Sequence, residues 1–227
     1  MQRNGGYSIV NVTDDSGRLI RRVRRDPRGR DIVIIDNSFV GARPVNMFLQ
    51  LAAPVIRIPR ERYIVETERA TPAMIYGALM APPVEPLERA YTLDEIRYSP
   101  MVRDRMPRID IDTVNFEFGS WELTPDQIDR LAVIAEGINQ ALSANPQETF
   151  LIEGHTDAIG ADVDNLSLSD RRAESVALAL SERFQVPAEN LVTQGYGKQY
   201  LKIPTEAPER QNRRVTVRRI TPLLAGG

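Results

Sequence analysis

Apolar and polar positions follow a regular order through the second half of the chain. Residues Ile109-Asp110-Ile111-Asp112-Thr113-Val114-Asn115-Phe116-Glu117-Phe118 alternate with period two, which predicts a ten-residue strand with one buried face. Thr124-Pro125-Asp126-Gln127 supplies an N-cap, a proline at the first helical position and a glutamine able to reach back to the cap. Ile128, Leu131, Ala135, Ile138 and Leu142 then follow at spacings of three and four, one stripe along a helix that Asn145-Pro146 ends. Thr149 to Glu153 reads as a second strand running into a loop at Gly154-His155-Thr156-Asp157. A second helix is expected from Ser167 or Ser169, buried along Ala173, Val176, Ala177, Leu180 and Phe184. Leu191 to Tyr196 and Arg214 to Arg218 complete the set as strands. This βαβαββ order predicts an α+β, two-layer sandwich with helices on one face of a mixed sheet.

The first hundred residues have no sustained helical period and end in the proline-rich stretch Ala81-Pro82-Pro83-Val84-Glu85-Pro86. The boundary is therefore placed near residue 106, with 1–106 a small, mainly β region and 107–222 the regular domain. Segments Arg18 to Arg25 and Asp31 to Asp36 flank Asp26-Pro27-Arg28-Gly29, a type I turn signature, and read as a hairpin. Seven arginines lie between Gly17 and Asp31. They suit either a phosphate-binding or membrane-surface patch or, as favoured here, the arginine-blunted edge of a small sheet. Thr71-Pro72 and the capping box Thr92-Leu93-Asp94-Glu95 mark the starts of two short helices.

Composition narrows the function. With 227 residues, 42% of them hydrophobic and 26% charged, the chain has the balance of a folded globular protein. A formal charge of -2 gives no global field for nucleic acid or an anionic membrane. The absence of cysteine removes disulfides, thiolate metal sites and a lipid-bearing N-terminal cysteine. Met1 to Gly6 shows no basic-then-apolar leader, so the chain reads as cytoplasmic or as a mature or trimmed piece of an exported precursor. The most apolar stretches, Val45 to Ile56 and Ala73 to Val84, are too short and too interrupted to span a bilayer.

The loop from Gly154 to Asn165 holds Asp157, Asp162 and Asp164, with His155 and Asp170 beside it. A calcium loop fails: counting from Asp157, Asp162 takes the place of the glycine at position six and Leu168 that of the glutamate at position twelve. A transition-metal or hydrolytic site needs more than this chain's single histidine, and no serine sits in a nucleophile elbow. No catalytic residue, metal site or cofactor is assigned, and His155 reads as structural. A third reading is a zwitterion site. Asp157 supplies a carboxylate for an ammonium, and Arg172, fifteen residues on and near the expected helix start, supplies a fork for a carboxylate that the helix terminus also favours. The alternative is that the two simply pair with each other or cap backbone groups. The zwitterion reading requires both tips to face one solvent-open gap.

Gly154-His155-Thr156-Asp157-x-x-Gly160, Asn165-x-x-Leu168-Ser169-x-x-Arg172-Ala173-x-x-Val176, Gly195-Tyr196-Gly197 and Asn212-Arg213-Arg214-Val215 together resemble the OmpA-like peptidoglycan-binding domain over about 107–221. The resemblance implies noncovalent attachment to the Gram-negative cell wall through diaminopimelate of the stem peptide, without catalysis. It also implies a place in the periplasm or on the periplasmic side of the outer membrane. The family's ligand-binding aspartate and arginine fall on Asp157 and Arg172. Phe118, Gly119, Thr156, Asn165, Asn212 and Arg213 take pocket or rim positions, the last two as structural or rim residues. Asp164, Glu117-Phe118-Gly119 and Pro208-Glu209 depart from the family's usual residues. The alternative function is an envelope interaction or oligomerisation scaffold that keeps the fold without the ligand. A homodimer is compatible with either, and Asp157→Ala and Arg172→Ala are both expected to leave the fold intact.

Overall fold

The computed structural model describes residues 7–17, 19–38 and 51–224; Met1 to Gly6, Arg18 and the first half of the apolar stretch from Val45 lie outside them. Three antiparallel strands come first, β1 (Ser8–Thr13), β2 (Leu19–Arg25) and β3 (Asp31–Asp36), in the order β1-β2-β3. The predicted turn is present, with Gly29 N–H donating to Asp26 O at 2.9 Å. Because β2 is the middle strand, its arginines are not an edge. Arg21 and Arg25 lie directly across from Asp36 and Asp31 and pair with them, and Arg22 Nε donates to its cross-strand partner Asn11.

A short helix α1 (Arg60–Tyr63) leads into β4 (Ile64–Glu66), followed by α2 (Pro72–Met80), α3 (Leu93–Tyr98) and α4 (Pro100–Arg103). Thr71 caps α2, and Thr92 with Glu95 closes the expected capping box on α3. Then come β5 (Arg108–Ile111), α5 (Pro125–Arg130), α6 (Ala132–Ala144), β6 (Phe150–Gly154), α7 (Asp162–Phe184), β7 (Leu191–Gly195) and β8 (Val215–Arg219). The second sheet runs β4-β5-β8-β6-β7 and is mixed: β4 and β5 are parallel, as are β6 and β7, and β8 is antiparallel to both β5 and β6. Within residues 107–222 this is the predicted βαβαββ arrangement. Its fifth strand, β4, comes from the preceding region.

Strand alternation sorts side chains to two faces. Ile109, Ile111, Phe150, Ile152, Val215 and Val217 pack beneath α2, α6 and α7 with Ile75, Ile134, Ile138, Val176 and Leu180. On the other face Leu151 and Val192 meet Ile34 and Ile35 of β3, Ile96 of α3 and Val102 of α4. Arg24 locks the small sheet there, its Nε 2.7 Å from Glu189 Oε1 and its Nη2 on Asn190.

Three boundaries differ from expectation. The first strand stops at Ile111 because the alternation changes phase: Ile109 and Ile111 face the helices, a turn takes Asp112 and Thr113, and Val114 and Phe116 are buried after it. The next helix divides into α5 and α6 at Leu131. The last helix begins at Asp162, a turn or more before Ser167, with Asp162 and Asp164 in its first turn in place of a serine cap.

Candidate functional site

The site lies where β6 ends and β8 begins. Gly154 and Gly195 are cross-strand partners there, and α7 crosses directly over them. A Cβ on Gly154 would stand 1.9 Å from Ser169 O, and one on Gly195 2.4 Å from Asp170 N and from Ser169 Oγ. Only glycine permits that approach, and it brings Arg172, one helical turn beyond Ser169, down onto the sheet end.

Arg172 is fully buried. Its Nε donates to Ser120 O at 2.9 Å, Nη1 to His155 O at 3.1 Å and Nη2 to Glu117 O at 3.3 Å, and the guanidinium lies 5.0 Å from the Phe116 ring centroid. Three of five N–H groups are thereby used, leaving two. Burial, with Arg213 nearby, pushes its pKa down to about 10 against the upward pull of Asp157. Arg172 sits ten residues into α7, about 15 Å from its first residue, so the helix terminus adds nothing at this guanidinium.

Asp157 is also buried, and its partner is Arg213 rather than Arg172. Arg213 Nη1 donates to Asp157 Oδ2 at 2.9 Å and Nε to Phe116 O at 3.1 Å. The expected open gap between two tips is therefore covered, and Arg213, the more exposed member, forms the cover. Arg213 holds the Phe116 carbonyl and Arg172 lies over the Phe116 ring, so the three side chains form one cluster, a carboxylate beside two guanidinium groups.

The other predicted positions divide by role. Thr156 N–H donates to Gly197 O, and its hydroxyl donates to Asp157 O. Asn165 Nδ2 donates to Ile159 O at 3.0 Å, fixing the loop that carries Asp157. Phe118 is 67% exposed, and Gly119 has φ +70°, on the loop whose carbonyls Arg172 holds. Asn212 is buried away from the cluster, its Oδ1 accepting from Lys202 N and Ile203 N. Sequence reasoning missed Phe116 as the surface under the Arg172 guanidinium, and it missed Arg213 as the partner of Asp157. The doubled arginine of Asn212-Arg213-Arg214 was the available signal.

His155 N–H bonds Arg214 O, and its ring is buried 5.8 Å from that of Tyr196 with neither nitrogen hydrogen-bonded. Burial first, then four nearby arginines, hold its pKa well below the ordinary value, so the ring is neutral. Among the described residues no group of acids and histidine could hold a metal ion, and no helix is long and apolar enough to cross a membrane.

The OmpA family model matches residues 115–214. The putative lipoprotein YfiB of Escherichia coli (strain K12) is 34% identical over 113 residues, 49% of this chain and 68% of that protein. The outer-membrane lipoprotein YfiB of Pseudomonas aeruginosa is 39% identical over 97 residues, 42% of this chain and 55% of that protein. Among solved structures, the peptidoglycan-associated lipoprotein from Burkholderia pseudomallei is 32% identical, covers 47% of this chain and 87% of its own, and superposes with a TM-score of 0.39.

Proposed function

Since the chain belongs to the OmpA family, we propose that it attaches noncovalently to peptidoglycan in the bacterial envelope, taking the side-chain end of diaminopimelate at Asp157 and Arg172. The observation that carries this reading is the charge arrangement: one buried carboxylate beside two guanidinium groups, Arg213 occupying Asp157 and Arg172 keeping two N–H groups free. A ligand ammonium replaces Arg213 Nη1 at Asp157, and the ligand carboxylate meets the remaining N–H groups of Arg172. No bond is made or broken covalently, so the role is binding and not catalysis.

Hydrogen bonds to charged groups are worth about 1.5 to 3 kcal/mol each, and two or three must offset the ordering of a small ligand and the displacement of Arg213. Single-site affinity is accordingly modest. Retention on the wall comes from the repeated ligand of the polymer and from any tether or second copy that raises the effective concentration.

The closure of Asp157 by Arg213 also supports a second reading, a scaffold with the same fold and no ligand. Co-sedimentation with purified sacculi separates the two. The wild-type chain is expected to pellet, free diaminopimelate to release it, and Asp157→Asn to stay in the supernatant. Asp157→Asn pelleting like wild type overturns the assigned site, and a wild-type chain that does not pellet supports the scaffold. Release of soluble muropeptides from the sacculi overturns the absence of catalysis.

A further inference from the structure

The chain's single tryptophan, Trp121, stands 38% exposed in the loop between β5 and α5. The Arg171 guanidinium lies 4.4 Å from its ring centroid and pins the indole beside α7. From these two residues a groove of about 650 Å³ follows one stripe of α7 past Glu174, Ser175, Ala177 and Leu178, a volume within the range of small-ligand sites. It adjoins the diaminopimelate site on both of its walls. Trp121 follows Ser120, whose carbonyl takes Arg172 Nε at 2.9 Å, and Arg171 precedes Arg172.

The lining is amphipathic. Trp121, Ala177 and the exposed Leu178 give an apolar bed. Arg171 and Glu174 border it, both exposed and, among the described residues, in no ion pair, with the Ser175 hydroxyl between them. A pyranose matches such a bed: its C–H groups pack on the negative face of an indole, and its hydroxyl and acetamido groups meet open donors and acceptors at the rim. A lipid chain or a wholly apolar partner would instead dehydrate Arg171 and Glu174 without pairing them. The ligand itself brings sugar here. Each residue of a stem peptide spans at most about 3.6 Å, so bound diaminopimelate keeps its sugar within about 15 Å of Arg172. From Arg171 to Leu178 the groove runs two helical turns, about 10 Å.

We propose that this groove receives the glycan strand of the same polymer, one N-acetylated sugar stacking on Trp121 and the next lying over Leu178. The inference rests on the reading of Asp157 and Arg172 as the diaminopimelate site and extends it from the stem peptide to the sugars.

Two probes test it on the full chain, by calorimetry and tryptophan fluorescence: the disaccharide–tripeptide released from sacculi, and the same tripeptide without sugar. Because Trp121 is the only tryptophan, its emission reports the groove. The disaccharide form is expected to change that emission and to bind about threefold to tenfold more tightly than the tripeptide, the scale of one aromatic contact. Trp121→Ala and Leu178→Glu are each expected to lose this margin and keep the affinity for the tripeptide. Leu178→Glu, at a position 57% exposed, keeps the test valid if Trp121→Ala does not fold. Equal binding of the two forms to wild type overturns the proposal, as does a margin that survives Leu178→Glu. Self-association of the chain that Leu178→Glu abolishes, with no sugar margin, assigns the groove to a second copy and overturns it too. A disaccharide form that changes the emission while the tripeptide fails to bind supports the groove and overturns the Asp157 and Arg172 reading alone; binding of neither form overturns both.

Discussion

Arg213 reaches Asp157 through one 2.9 Å hydrogen bond from Nη1 to Oδ2, while its Nε stays tied to Phe116 O. The carboxylate is thus held by a side chain that is itself partly in water. Arg213→Ala leaves Asp157 charged, buried and unpaired. Urea unfolding should show a loss of about 1 to 3 kcal/mol, the cost of an unsatisfied buried polar group. Free diaminopimelate should bind Arg213→Ala at least as well as wild type when measured calorimetrically, because its ammonium no longer competes with Arg213. Weaker binding to Arg213→Ala than to wild type would show that Arg213 is a ligand contact and not a cover.

Arg172→Ala is expected to cost stability, where the sequence alone suggests an intact fold. Its guanidinium ties the carbonyls of Glu117, Ser120 and His155 together across two loops and a helix. Removing it leaves the buried His155 O without its donor, while the half-buried Ser120 O and the exposed Glu117 O can turn to water, so a loss of about 1 to 3 kcal/mol is expected in denaturant titration. A stability equal to wild type would mean that His155 O finds water instead.

Acid should weaken the fold in two steps. His155 has a folded pKa depressed below 6.5 by burial and neighbouring arginines, so below pH 6.5 the unfolded chain binds a proton that the folded chain refuses, and stability falls. Burial raises the Glu153 carboxyl, but Arg218, Arg103 and Arg108 outweigh it and hold the group below 4.5. Its contribution is complete above pH 4.5 and is lost as pH drops through the lower folded value. His155 is the chain's one histidine, so its proton NMR signals should fail to titrate near pH 6.5 in the folded protein. His155→Phe should flatten the stability slope just below pH 6.5 and leave the lower step in place.

Gly195→Ala places a methyl group 2.4 Å from Asp170 N, under the helix that carries Arg172. Overpacking of this kind costs about 1 to 3 kcal/mol. Sacculus binding should drop with it, since α7 must lift. Retained binding at reduced stability would show that Arg172 adjusts independently of the helix.

Much of this architecture was readable from periodicity and caps. The capping boxes at Thr92 and Thr124 and the stripe from Leu131 to Leu142 appear as expected, because they depend on neighbours within one or two turns. The start of α7 was misread because serine is both a good cap and a tolerated interior residue: Ser169 sits inside the helix, donating to Leu166 O and accepting from Gly197 N. Asp157 and Arg172 were legible as chemical types in a spaced motif. Their burial and the intervention of Arg213 were not, because these depend on the return of a chain segment more than forty residues later. The arginines of β2 were misplaced for a similar reason, since the sheet position of a strand is set by its partners.

One consequence of the shared sheet concerns the boundary near residue 107. A chain begun there would leave the backbone groups of β5 from Arg108 to Asp110 without the neighbour that Ile64 to Glu66 provides, and would strip the cover from Leu151 and Val192. Such a fragment presents a raw flank and an oily underside at once, so it should stick to itself in solution more than the longer chain does.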